Sequence, residues 1–154
     1  MLKSYGAINS EDLGRIVGID YGRKRVGVAI TDPLQIVAQG ITTVNSAEII
    51  EYLKNYFVKE QVDLVVVGYP RQMNNMPSDG ARFVQEFLNR MKKVFPEMPL
   101  ITVDERFTSK IATRAILDSG AKKSDRMNKE LVDMVSASII LQSYLESRSY
   151  RKSE

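Results

Sequence analysis

Arg15-Ile-Val-Gly-Ile-Asp-Tyr-Gly-Arg-Lys-Arg-Val-Gly-Val-Ala29 is the stretch whose reading decides the fold. Ile16-Val-Gly-Ile19 is a short apolar run that ends on Asp20, and Gly22 supplies turn freedom just beyond it. Arg25-Val-Gly-Val-Ala-Ile-Thr31 reads as the return strand of a hairpin, broken by Asp32-Pro33. Ile36 to Val44 supplies a third strand, so the chain opens as a three-strand antiparallel meander.

Beyond the meander the pattern changes period. Ser46 reads as the N-cap of a helix running to about Lys59, with Ile49, Ile50, Leu53 and Phe57 on one face. Val62-Asp-Leu-Val-Val-Val67 is a near-continuous β-branched run, the pattern of a strand buried on both faces, and it ends at Gly68-Tyr69-Pro70. Met73 to Gly80 is a polar loop, and a second helix follows to about Phe95. Pro99-Leu-Ile-Thr-Val103 is another buried strand, ending at Asp104-Glu105-Arg106. Thr108 or Ser109 caps a third helix that stops at Gly120. A basic, polar stretch from Ala121 to Asn128 leads to a last helix over roughly Lys129 to Ser147.

This order predicts an α/β fold: a mixed five-stranded sheet, the antiparallel meander plus parallel strands, with helices on both faces. The expected organisation is a loose leader over 1–14, one domain over 15–147 and a frayed charged tail over 148–154. No apolar run approaches the roughly 20 residues of a membrane span, and the first residues lack the apolar stretch of a signal peptide. A cytoplasmic location with no membrane partner is the default expectation.

Composition narrows the chemistry. The 154 residues contain no cysteine and no histidine. Thiol catalysis, Ser-His-Asp triads and Cys- or His-ligated zinc are therefore excluded. What remains is carboxylates, lysine, tyrosine, hydroxyls, or a metal held by oxygen, and oxygen ligation suits Mg2+ (or Mn2+). A net charge of +3 permits a polyanionic partner without requiring one.

Functional groups of α/β sheets gather beyond the carboxyl ends of the parallel strands. Asp20 ends the first strand, Glu105 and its neighbour Asp104 sit past the last, and Asp133 lies one turn into the last helix. Asp133 shares its helical face with Ser136, Ala137 and Ile140, a face fit to pack on the sheet. Each acid has an ordinary structural explanation. Asp20 suits a turn before Tyr-Gly, Asp104 and Glu105 suit a helix start, and Lys129 at i−4 suits an ion pair with Asp133. Taken together, acids from three separated segments at one edge point to an oxygen-ligand metal site. Such a site holds one or two Mg2+ ions, two standing about 4 Å apart, and hydrolyses phosphodiesters without histidine. Arg23, Lys24, Arg25 and Arg106 are the basic residues placed to meet a phosphate backbone, although any one of them is equally a solvated side chain. Lys129 either pairs with Asp133 or joins this nucleic-acid-binding set.

Gly18-Ile-Asp20-Tyr-Gly22-Arg-Lys24-Arg25-Val-Gly27-Val-Ala29 resembles the first motif of the YqgF/RuvX family, which is similar to the junction resolvase RuvC and has the RNase H-like fold. Asp104-Glu105-Arg106-Phe107-Thr108-Ser109 resembles the second motif, and Val132-Asp133 with Ala137, Ile140-Leu141-Gln142 and Tyr144-Leu145 resembles the third. Gly68-Tyr69-Pro70 stands where the family has a Gly-x-Pro loop, although Arg71-Gln72-Met73 continues it less typically. The resemblance runs from about Arg15 to Leu145. It implies a metal-dependent endonuclease that matures the 5′ end of precursor 16S rRNA, or alternatively resolves branched DNA. It implies Asp20, Glu105 and Asp133 as catalytic acids and metal ligands, with Asp104 as an alternative or supporting ligand. Strand alternation leaves open which of Asp104 and Glu105 faces the metal. Ser136 and Ala137 stand where RuvC-like enzymes often carry a further acid. The implied partner is structured RNA or branched DNA, bound by a monomer or a homodimer. Two other classes compete: a non-catalytic nucleic-acid-binding module, and a phosphotransferase of the actin and sugar-kinase type, for which one short chain lacks the second domain.

Overall fold

The structure is a computed structural model that describes residues 14–70, 80–105, 108–119 and 128–152. Five strands form one sheet: β1 (Arg15–Tyr21), β2 (Arg25–Thr31), β3 (Ala38–Asn45), β4 (Val62–Tyr69) and β5 (Leu100–Asp104). Their spatial order is β3-β2-β1-β4-β5. β1 to β3 are the antiparallel meander, and β4 and β5 run parallel to β1. The helices are α1 (Ile49–Lys59), α2 (Ala81–Val94), α3 (Thr108–Asp118) and α4 (Lys129–Lys152). No helix among the described residues is long and apolar enough to cross a membrane.

Period-two alternation splits the core into two layers. Val17, Ile19, Val26, Val28, Val65 and Val67 point to one face, where Ile49 and Leu53 of α1 and Val84, Phe87 and Met91 of α2 cover them. Ile16, Ala29 and Val66 point to the other face, under Ala137, Ile140, Leu141 and Leu145 of α4. The expected helix face of Asp133 is therefore the packed one: Ser136, Ala137 and Ile140 are all buried. α3 packs outside, against α4.

Four boundaries differ from the sequence-based expectation. β3 starts at Ala38, not Ile36. The Asp32 carboxylate accepts the backbone N–H groups of Leu34, Ile36 and Val37 at 3.2, 2.8 and 2.8 Å, and Gln35 sits at φ 58, so this segment forms a turn. The cap before α1 is Asn45, which accepts the N–H of Ala47; a 3-10 turn over Ser46–Glu48 intervenes, and the Ser46 hydroxyl donates instead to the Arg23 carbonyl. α3 is assigned to Asp118 rather than Gly120. α4 continues past Ser147 to Lys152. Its extension is tied down where Arg148 donates to the Gln35 carbonyl and side-chain oxygens at 3.0 and 2.7 Å. The leader over 1–13, the loop over 71–79 and the basic stretch over 121–127 lie outside the described residues.

Candidate active site

Asp20 closes β1 on the α4 face, two residues after Gly18 and four after Ile16. β5 sends Asp104 and Glu105 to opposite faces of the sheet. Ile101 and Val103 pack into the α4 layer, so the same parity carries Glu105 to that face, while Asp104 follows Leu100 toward the α1 and α2 side. Glu105 donates its backbone N–H to the Tyr69 carbonyl at 3.2 Å, which fixes it one residue past the strand.

Asp133 reaches the same edge because the sheet beneath α4 is bare. A Cβ on Gly18 would fall 2.8 Å from the Leu141 Cβ, and a Cβ on Gly27 would run into the Asp133 carbonyl oxygen. Gly27 pairs directly across the ladder with Asp20. One glycine thus brings the backbone of the third acid down onto the strand beside the first. Gly68 does the same for Glu105, since a Cβ there would lie 2.7 Å from its Oε2.

The three acids do not stand equivalently. Asp20 and Glu105 are hydrogen-bonded to each other. Burial, then the Asp20 charge, pushes the Glu105 carboxyl up to about 9. Burial also pushes Asp20 up to about 6, against the hydrogen bond from Glu105 and with a further push from the Asp133 charge. At neutral pH Glu105 therefore holds the proton and donates it to the Asp20 carboxylate. Asp133 is also raised by burial, but it is restrained by Arg25, whose Nε donates to Oδ2 at 2.8 Å. Among the described residues no three carboxylates converge closely enough to hold an ion together. Asp133 is turned onto Arg25 instead of sharing the proton of the Asp20–Glu105 pair.

The pair makes the metal-free protein sensitive to alkali. Both carboxyls are raised above their unfolded values, so the folded state holds more protons between about pH 4 and 9, and stability falls as pH rises through that window. Melting in a chelator should show Tm declining from pH 5 to pH 9. Glu105→Gln, which removes one of the two like charges, should flatten that decline; a decline equally steep in the variant would contradict the shared proton.

The basic residues divide. Arg23 and Lys24 are exposed at the β1–β2 tip. Arg25 instead donates its Nε to Asp133, with its side chain 34% exposed. Of the two readings of Lys129, the ion pair with Asp133 is not formed; Lys129 adds only a longer-range attraction. Arg106 lies outside the described residues. Sequence reading missed the partnership of Arg25, although counting alternate residues back from Ala29 and Gly27 places Arg25 on the α4 face. Ser136 is buried, and its hydroxyl has no hydrogen-bond partner among the described residues.

Arg25→Ala should lower stability by about 1 kcal/mol, roughly 3 °C in Tm, because it leaves the Asp133 charge without its charge-assisted hydrogen bond. Arg25→Lys should recover part of the loss, since it keeps the charge but not the guanidinium geometry. Thermal melts of the two variants check this, and an unchanged Tm in Arg25→Ala would contradict it.

Comparison with known proteins places this geometry. The family model for RuvX, described as Holliday junction resolvase, matches residues 14–147. The chain belongs to the RuvX family. A relative from Phocaeicola vulgatus, named as a candidate pre-16S rRNA nuclease, is 52% identical over 138 residues, covering 90% of this chain and 99% of the relative. One from Parabacteroides distasonis, with the same name, is 51% identical over 139 residues, covering 90% and 99%. Among solved structures, Thermus thermophilus RuvC in complex with a Holliday junction substrate superposes with a TM-score of 0.52 at 18% identity, covering 88% of this chain and 96% of RuvC. That likeness shows the fold: the RuvX chain has the RuvC-like, RNase H-like α/β sheet.

Proposed function

We propose that this RuvX chain is a metal-dependent endonuclease of the cytoplasm that hydrolyses phosphodiester bonds in the 5′ maturation of precursor 16S rRNA. The observation that carries the reading is the buried, proton-sharing pair of Asp20 and Glu105 at the sheet edge, in a chain half identical to relatives named for that substrate.

The residues fit a divalent ion. The donors are all oxygen, and Gly68 leaves the Glu105 carboxyl room. Two buried carboxyls that ionise only with difficulty need a cation in place of their shared proton. Asp20 and Glu105 would hold Mg2+ (or Mn2+), and Asp133 would join them once released by Arg25. When bound, the ion supplies an activated water and charge to stabilise the leaving oxygen.

The remaining chemistry belongs to the side chains. Hydrolysis adds water across the P–O bond, which breaks toward the leaving oxygen, and that oxygen takes a proton. Glu105 carries a proton at neutral pH in the metal-free protein, and binding of the ion would release it. Burial on the α4 face strengthens each electrostatic interaction there. Arg23 and Lys24 project from the tip beside Asp20 and meet the backbone of the substrate.

The RuvX description favours a second substrate, four-way DNA. A side-by-side assay on a precursor 16S rRNA fragment and a synthetic four-way junction, with Mg2+, separates the two. Cleavage of the RNA near the mature 5′ end is the expected result. Cleavage of the junction alone would overturn the RNA assignment, and cleavage of neither would overturn the nuclease.

A further inference from the structure

Two guanidinium groups converge on one aromatic ring at the start of α2. The Arg23 Cζ lies 4.0 Å from the Phe83 ring centroid, and the Arg82 Cζ lies 5.2 Å from it. Both arginines are exposed, and Phe83 is half-buried. Among the described residues neither guanidinium makes an ion pair, although Glu86 lies one helical turn from Arg82. The ring steadies each cation by roughly 0.5–1 kcal/mol at an exposed site. It does not neutralise them, so two like charges are held against one ring.

The position ties this pair to the active site. Tyr21, the residue after Asp20, stacks on Phe87 with ring centroids 4.5 Å apart. Phe83 precedes Phe87 by four residues, so it lies on the same helical face one turn nearer the N-terminus of α2. Arg23 joins the two regions, because it lies in the β1–β2 tip and rests on Phe83. The acids face α4, while Arg82 and Phe83 stand on the α2 side of the sheet. Arg23 follows Asp20 by three residues, so the ring it rests on lies beside the same end of β1, on the other face of the sheet.

We propose that Arg82 and Phe83, with Arg23, form a subsite for the phosphate backbone of the substrate strand on the α2 side of the acids. The planar guanidinium fork suits a phosphate's oxygens. Phe83 acts through Arg23 and Arg82 by holding their orientation. The subsite rests on the nuclease reading and extends it with two residues outside the three motifs.

The test is fluorescence anisotropy of a labelled single-stranded RNA fragment, titrated with the full chain across a KCl series in a chelator so that no cleavage occurs. Arg82→Ala should weaken binding about 5-fold near 0.1 M salt and lower the salt slope by about 0.7, the loss of one phosphate contact. Phe83→Leu, which keeps an apolar side chain at the position, should lose affinity in the same direction. Arg114→Ala, on α3 and paired with Asp118 at 3.6 Å, should match the wild type. A wild-type slope in Arg82→Ala would overturn the subsite and leave the nuclease standing. An equal loss in Arg114→Ala would overturn it as general charge attraction. Absence of salt-dependent binding by the wild-type protein would overturn the nuclease reading, and the subsite with it.

Discussion

Asp20→Asn lowers RNA cleavage by at least about 1,000-fold while the protein stays folded: that is the expected result with the largest catalytic effect. The substitution keeps the shape and replaces one charged oxygen with an amide. It removes the carboxylate that accepts from Glu105 and ends β1 on the α4 face. Losing about 4 kcal/mol of ion-mediated transition-state stabilisation corresponds to three orders of magnitude in rate. Stability in a chelator should not fall at pH 8, because the amide removes the buried charge of Asp20 and still offers an oxygen to the Glu105 proton. The measurement is cleavage of the 5′ precursor fragment beside a thermal melt. Activity within tenfold of wild type would remove Asp20 from the chemistry.

The largest effect on folding is expected at Gly27. A methyl group there points into the Asp133 carbonyl, which is backbone and cannot swing aside. α4 must lift or β2 must bend, and either movement opens the layer of Ala137, Ile140 and Leu141. Gly27→Ala should cost about 3 kcal/mol, at the upper end for overpacking, and lower Tm by on the order of 10 °C. Cleavage should fall as well, since Asp133 moves with its helix. A Tm within about 2 °C of wild type would show that α4 does not depend on this contact.

Most of the architecture was legible because each element carries its own period. The alternation of β2, the apolar run of β4 and the i, i+3, i+4 face of α4 are local patterns, and the structure places them as read. The choice between Asp104 and Glu105 was not legible for a physical reason. β5 is Leu100-Ile-Thr-Val-Asp104, whose alternation puts Asp104 and Glu105 on opposite faces but does not say which face meets α4 until Ile101 and Val103 are seen under it. The partner of Asp133 was hidden by distance: Lys129 is visible at i−4, but Arg25 is 108 residues away in sequence. The end of α4 failed similarly. Charged residues after Ser147 look like a frayed tail until Gln35, turned out of the extended region at φ 58, meets Arg148. The cap of α1 shifted by one because Asn45 and Ser46 are both good caps, and the tip carbonyl of Arg23 takes the serine.

The central claim is that Asp20 and Glu105 form a divalent-cation site. It is tested most directly by titrating the wild-type protein and Asp20→Asn with Mn2+ at pH 7.5, reading free Mn2+ by electron paramagnetic resonance. The expected result is a saturable site in the wild type whose affinity falls at least tenfold in Asp20→Asn. Equal binding by the two proteins, or none by the wild type, would contradict it.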